Sequence, residues 1–425
     1  MRLFAFLLAS CAVLAGQSSS DWVVEVRHRG ELMFVNRSVV TVDGGTVSGT
    51  SGPGKLRGTL NGDEMQVEWV MGDRVEGTMR GSLKAGRLTG SGKTSDGLVY
   101  DWLAYRVPPQ GTAPRTHEFT PENFERYFSA ATPAVLRIAP GDTVRTWSVD
   151  AGGVDAKGTR RSRGGNPLTG PFYVEGALPG DTLAVKLNKV RINRDWAESG
   201  NGLMSNAISP DYNANLKRAK DLGGRWKLDA QSGMAALDKP SEALKNFRVP
   251  IEPMLGCVSV APRGQEVVAT RDSGYFGGNM DYNRIREGTT VYLTVNQPGG
   301  LLMVGDGHAA QGDGELTGDA LETSMDIEFT VELIRGKGRG LPWAEDKDWL
   351  MMIGIAGSLD EALRRATTGL ARYLEGEHGL NSTEAALVLG FAVKYDIADL
   401  VGTQVSIVAR LPKTVIAQLP PRKAE

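Results

Sequence analysis

Five polar side chains fall within ten residues in the run Gly305-Asp306-Gly307-His308-Ala309-Ala310-Gln311-Gly312-Asp313-Gly314-Glu315. The apolar residues 301–304 precede it, so the run reads as the end of a strand, where glycines let backbone and ligand approach closely. If the strand continues, Asp306 and His308 point one way, and Gln311, Asp313 and Glu315 share another face. The chain has four histidines, and His28, His117 and His378 lack comparable neighbours, so they read as surface or loop residues. One neutral imidazole among carboxylates is a donor set for a divalent cation, zinc in first place and calcium as the alternative. Upstream, Gly277-Gly278-Asn279-Met280-Asp281 is a turn that delivers a second carboxylate. Glu322 opens the polar face of a long alternating segment and reads equally well as solvated. Glu175 and Asp181 sit in ordinary turn sequence, and a structural role suits them at least as well as a chemical one.

These residues need a β scaffold, and the sequence supplies one. Leu183, Val185 and Leu187 alternate with polar neighbours, as do Val291, Leu293 and Val295. The longest alternation is Met325, Ile327, Phe329, Val331 and Leu333, which puts one strand face in a core. Residues 196–250 break the pattern and read as an irregular excursion. Ser358 with Glu361 is a capping pair opening a helix to about Leu374, and Asn381 with Glu384 opens another to about Val393. A last strand is expected near 405–411. Before all this, residues 21–108 carry a two-residue rhythm and dense turn signals such as Asn61-Gly62-Asp63 and Gly72-Asp73-Arg74. A weak echo, Arg57-Gly58-Thr59-Leu60 and Glu76-Gly77-Thr78-Met79, suits successive hairpins in a meander or barrel. The expected class is mainly β: a small antiparallel meander or barrel over 21–108, a proline-stiffened linker at 109–116, and a β-sandwich-like domain with late helices over 117–425.

The 48 lysines and arginines nearly balance the 50 acids, and no basic block stands out, which argues against nucleic-acid partners. Arg2 and the apolar residues 3–15 read as an export signal over 1–20, too short to span a bilayer comfortably. Leu8-Ala9-Ser10-Cys11 resembles a bacterial lipobox that would leave Cys11 acylated, and Val13-Leu14-Ala15 suits conventional cleavage. Either route puts the protein in a bacterial envelope, periplasmic or lipid-anchored. Cys257, in the apolar run 255–260, reads as an inert buried thiol.

Residues 118–412 resemble the acetamidase/formamidase family. The resemblance rests on the order and spacing of four stretches: 166–183, Pro253-Met254-Leu255-Gly256 with Ala261-Pro262, Gly277 to Asp281, and Gly305 to Glu322. Asp150-Ala151 followed by glycines looks like the family's early acidic position. The resemblance implies hydrolysis of short amides such as formamide and acetamide to acid and ammonia, in a largely β fold that commonly forms homo-oligomers. Amide hydrolysis needs an activated water, a stabilised oxyanion and a proton for the departing nitrogen. On the residues, His308 and Asp281 are expected to hold the metal with Asp150 or Asp306 as a further ligand. Glu315 is expected to act as general base, Gln311 or glycine amides to hold the oxyanion, Asp313 to assist, and Asn279 and Glu322 to meet the substrate. The competing readings are an exported binding protein on the same scaffold, without catalysis, and an amidase for larger amides.

Overall fold

The computed structural model describes residues 18–107, 113–217, 219 and 222–422. Nearly all of the expected export signal, Cys11 within it, and half of the linker, 109–112, lie outside these residues. Two compact units divide the chain, residues 1–112 and 113–425.

In the first unit eight strands run Ser18–His28, Glu31–Asp43, Thr46–Ser51, Gly54–Asn61, Glu64–Met71, Arg74–Lys84, Arg87–Thr94 and Val99–Arg106. Each pairs antiparallel with the next, and the first closes on the last, Trp22 opposite Arg106, so no edge is left open. The alternation places Trp22, Val24, Val26, Val47, Leu56, Val67, Met79 and Leu88 inside, with Tyr100 and Trp102. A barrel this small holds two large rings only where facing positions lack a side chain. A Cβ on Gly81 would strike Trp102, and one on Gly92 would strike Tyr100.

The second unit is a sandwich. One sheet has nine strands: Lys394–Asp399, Val405–Pro412, Trp349–Ala356, Trp343–Glu345, Thr290–Thr294, Thr182–Ile192, Met325–Ile334, Thr143–Ser148 and Thr116–Glu118, in spatial order. The other has eleven, and its centre is Leu302–His308, flanked by Met254–Ser259 and Glu322–Thr323 and paired also with Leu168–Val174. The expected alternation supplies the filling: Leu183, Val185, Leu187, Ile327, Phe329 and Val331 meet Phe172, Leu255, Val258, Leu302 and Val304 in one buried cluster. Phe172 and Phe329 meet edge to face across the sandwich, centroids 5.3 Å apart.

Strand Trp349–Ala356 is apolar at nearly every position because it is covered on both faces. Met351, Ile353 and Ile355 fill the sandwich, while Leu350 and Met352 meet the helices Leu359–His378 and Ser382–Ala392 through Ala362, Ala366, Leu370 and Leu389. Ser358 Oγ accepts from the Glu361 amide at 3.3 Å, and at Asn381 with Glu384 the reciprocal pair is complete. The excursion expected over 196–250 is more regular than its sequence suggests. It adds the short strands Trp196–Glu198, Arg225–Asp229, Met234–Leu237 and Val249–Pro250 to the edge of the eleven-stranded sheet. Strands this short carry too little alternation to be read. No helix among the described residues is long and apolar enough to cross a membrane.

Phe329 is fully buried where the two sheets meet. Phe329→Ala is expected to lower the unfolding free energy by about 3–5 kcal/mol in a denaturant titration; a loss under about 1 kcal/mol would contradict the packing described.

Candidate active site

Three strands and two loops bring the acids together. Strand Leu302–His308 carries Asp306 and His308, the turn after Gly277–Asn279 carries Asp281, and the loop beyond His308 carries Glu315. Glu322 lies opposite His308 in the sheet, and Asp399 ends the strand Lys394–Asp399. His308 Nε2 lies 3.2 Å from Glu322 Oε1, 3.6 Å from Asp306 Oδ2 and 3.9 Å from Asp281 Oδ1. Three overlapping trios, Asp281–Asp306–His308, His308–Glu315–Glu322 and Asp281–Glu315–Asp399, each have donor atoms within 4.8 Å of one another. All six residues are buried.

A buried cluster of five carboxylates and one imidazole repels itself. Burial pushes the Glu315 carboxyl up to about 9, with the neighbouring acids adding to it and His308 opposing. Burial likewise lifts Glu322 to about 7 and Asp399 to about 6. Asp281 rises well above the ordinary carboxylate value through burial and the charges of Glu315, Asp306 and Asp399. For His308 burial opposes the charge, but Glu322 and Asp306 outweigh it and hold the imidazolium well above its usual range.

The donor set fits a cation. Asp281 Oδ1, Asp306 Oδ1, His308 Nε2 and Glu322 Oε2 are buried with no hydrogen-bond partner, an arrangement that buried polar atoms rarely adopt. Beside Asp281, Asp306 and His308, Gly256 carries no side chain. A Cβ there would land against Asp281 Oδ1 and within 2.7 Å of Asp306 Oδ2 and 3.0 Å of His308 Cε1. These groups could therefore hold a metal ion, with His308, Asp281 and Asp306 as the compact trio.

The surrounding amides fix these side chains. Gln311 Nε2 donates to the carbonyls of Asp281 and Ala398, so its Oε1 must face His308 Nδ1, 2.9 Å away. In the neutral ring the proton then sits on Nδ1 and the Nε2 lone pair faces the acids. Gln311 is thus committed to orienting His308 and is not free to hold an oxyanion. Asn166 Nδ2 bridges Asn279 Oδ1 at 2.9 Å and Asp306 Oδ2 at 2.8 Å, and Asn279 Nδ2 donates to Asp281 Oδ2. Asn279 is therefore a link that sets Asp281. Asn166, Asp281, Asp306 and Glu315 all take positive φ, between 42° and 57°. Backbone strain at four positions of one site marks a geometry the rest of the fold enforces.

Two expected residues lie elsewhere. Asp150 is bound to the buried Arg194 at 2.6 Å and accepts from the Val154 amide, so it faces a guanidinium, not the acid cluster. Arg194 also stacks on Trp196 and reaches the Glu322 carbonyl, which makes the pair a support for the strand behind Glu322. Asp313 is exposed and accepts from Asn283. The alternation expected for Gln311, Asp313 and Glu315 fails because these residues form a loop, not a strand. Sequence reasoning assigned no role to Asn166, Gly256 or Asp399. The first two lay in stretches singled out for their order, whereas nothing in 394–399 distinguishes Asp399 from an ordinary strand-end acid. Burial, first, and the nearby Asp306 and Asp281 raise the Cys257 thiol well above its usual value, which leaves it inert.

The acetamidase/formamidase family model matches residues 200–418, just over half of the chain. The chain belongs to that family. A Schizosaccharomyces pombe protein that carries a formamidase name is 25% identical over 213 residues, 40% of this chain and 52% of its own. This family member thus spans about half the length of that relative. An acetamidase of Mycolicibacterium smegmatis is 25% identical over 302 residues, 52% of this chain and 72% of that one. Among solved structures, an acetamidase from Yersinia enterocolitica shares the fold at TM-score 0.61 and 27% identity, covering 74% of this chain and 96% of that one. The eight-stranded barrel lies outside the residues that the family model matches.

Two predictions follow from the cluster. Gly256→Ala, which fills the space between the donors, is expected to weaken divalent-metal binding at least about tenfold by titration calorimetry; unchanged affinity would show that the cation lies elsewhere. The second concerns stability. Raised folded-state values mean that the metal-free protein holds extra protons, so stability is full at low pH and falls as pH rises. For Glu315 that window runs from its ordinary 4.5 to about 9, and for Glu322 from 4.5 to about 7. The melting temperature of chelator-treated protein is expected to fall across this range and a divalent cation to flatten the slope; a flat or rising profile in chelator would contradict the cluster.

Proposed function

We propose that this chain is an amidase for linear amides, R–CO–NH2 plus water giving R–COOH plus ammonia, with a divalent cation held by His308, Asp281 and Asp306. The reading rests above all on one observation: carboxylate oxygens of Asp281, Asp306 and Glu322 are buried without hydrogen-bond partners around His308, where Gly256 carries no side chain, and Asp306 and Glu322 line a polar cavity. When bound, such a cation supplies a Lewis acid for the carbonyl and lowers the pKa of a water toward neutrality. Zinc is the expected ion, and the dominance of oxygen donors keeps calcium as the alternative.

The protein's own groups divide the remaining work. His308 is held in one tautomer by Gln311, and Asp281 and Asp306 are aimed by Asn279 and Asn166. Glu315 lines the cavity, and a positive charge among its neighbours would oppose the burial and the acid repulsion that keep it protonated. It then takes the water proton as the C–O bond forms and returns it to nitrogen as the C–N bond breaks. Glu322 Oε2, free and on the same wall, accepts from the substrate amide N–H. Arg194 and Asp150 hold the strand behind Glu322 and touch no reacting atom. Export to the bacterial envelope, carried by the N-terminal signal, stays part of the proposal.

The test is ammonia release from formamide, acetamide and propionamide, with bound metal measured by elemental analysis. Glu315→Gln is expected to lower kcat by about 100-fold or more while metal stays bound, and His308→Ala to lose both metal and activity. Full activity after exhaustive chelation would overturn the metal-assisted reading, and folded wild-type protein releasing no ammonia from any amide would overturn the amidase itself.

A further inference from the structure

The cavity over the acid cluster has a volume of about 390 Å³. That lies within the roughly 300–1,000 Å³ typical of sites for much larger ligands than formamide or acetamide. Its walls are not suited to a longer hydrocarbon chain: Asn166, Arg271, Asp272, Asn279 and Thr403 line it beyond the acids, with only Ala151 and Val401 carrying apolar side chains. The extra space is therefore built for polar atoms.

Arg271 is the sole cationic residue on that lining. Among the described residues no carboxylate pairs with its guanidinium, and its side chain is exposed at the rim. Its place is nonetheless fixed. The Thr270 amide donates to the Arg126 carbonyl at 3.1 Å, and Thr270 Oγ1 to the Gly165 carbonyl at 2.9 Å. On the other side the Asp272 amide donates to Ala269, and the Asp272 carbonyl accepts from the Asn279 amide, which ties this turn to the strand that leads to Asp281. Asp272, the acid beside Arg271, accepts from Thr403 Oγ1 at 2.9 Å. The other rim acid, Asp319, belongs to the loop between Glu315 and Glu322, on the side of the cluster. The cavity thus has an acidic floor at Asp306, Glu315 and Glu322 and an exposed guanidinium on its lining.

We propose that the site takes amides whose acyl chain ends in a carboxylate, half-amides of short dicarboxylic acids, with Arg271 binding that carboxylate. The inference rests on the amidase reading and names its substrate class. The scissile amide goes to the floor, where Glu315 and Glu322 stand, and the carboxylate pairs with the guanidinium in the two-point geometry that suits it. A neutral alkyl amide would leave the guanidinium and the polar wall without partners. Hydrolysis breaks the C–N bond, forms a C–O bond from water, and yields a dicarboxylate and ammonia.

Kinetics of the metal-loaded enzyme on succinamate and propionamide, which match in chain length apart from the charged end, test this. Wild type is expected to favour succinamate in kcat/KM by about tenfold or more, the size of one charge-assisted contact, chiefly through KM. Arg271→Gln is expected to abolish that ratio and Arg271→Lys to restore part of it. Calorimetric titration with succinate and propionate reads the same contact without turnover: the gain from the second carboxylate should vanish in Arg271→Gln. Propionamide hydrolysed as well as succinamate, or a ratio unchanged by Arg271→Gln, would overturn the inference and leave the amidase reading standing. If no amide is hydrolysed, that reading fails, and equal affinity for succinate in wild type and Arg271→Gln would separately remove any carboxylate role for Arg271.

Discussion

Burial of mutually repelling acids is the constraint that organises this protein. Asp281, Asp306, Glu315, Glu322 and Asp399 are brought out of water around one imidazole. A fold can keep such a cluster only by protonating it or by placing a cation in it. The raised values of Glu315, Glu322 and Asp399 describe the first state, and the partnerless oxygens of Asp281, Asp306 and Glu322 are shaped for the second. Metal uptake at such a cluster would release its protons.

The scaffold's contribution is rigidity in service of that cluster. Strand Leu302–His308 is buried along its whole length and paired on both sides, so Asp306 and His308 are fixed as part of a sheet. Against it, Gly256 on the neighbouring strand withholds a side chain at the one point where the donors converge. Four residues with left-handed backbone, Asn166, Asp281, Asp306 and Glu315, bend their carriers toward the same point. The large sandwich core, with Phe172 and Phe329 at its centre, supplies the packing that sustains this strain. The amide chain Asn166–Asn279–Asp281 and the Gln311–His308 contact then remove the remaining rotational freedom.

Much of this was legible in the sequence, and the exceptions have physical reasons. The alternation through Met325, Ile327, Phe329 and Val331 identified a half-buried strand because a period of two has no other explanation over ten residues. The glycine-spaced run around His308 and the turn before Asp281 pointed to the cluster, since such backbone is needed where side chains must converge. Asp150 stood as an alternative to Asp306 for a further ligand, yet its partner is Arg194, 44 positions away, and no local pattern announces a pairing of that kind. Asp399 was invisible for the same reason. Gln311 and Asn279 were recognised as members of the site, but their roles depend on which end of each amide is already engaged, a matter of three-dimensional hydrogen bonding alone. The short edge strands between 196 and 250 contain too few residues for any periodicity to show.

Whether a cation sits among these donors is the central question of the site. A crystal structure of protein loaded with zinc or another anomalously scattering divalent ion decides it most directly. An anomalous peak is expected beside Gly256, within bonding distance of His308 Nε2 and carboxylate oxygens of Asp281 and Asp306. A peak bound elsewhere, or a fully loaded crystal with His308 Nε2 hydrogen-bonded to a carboxylate and no ion between them, would contradict it.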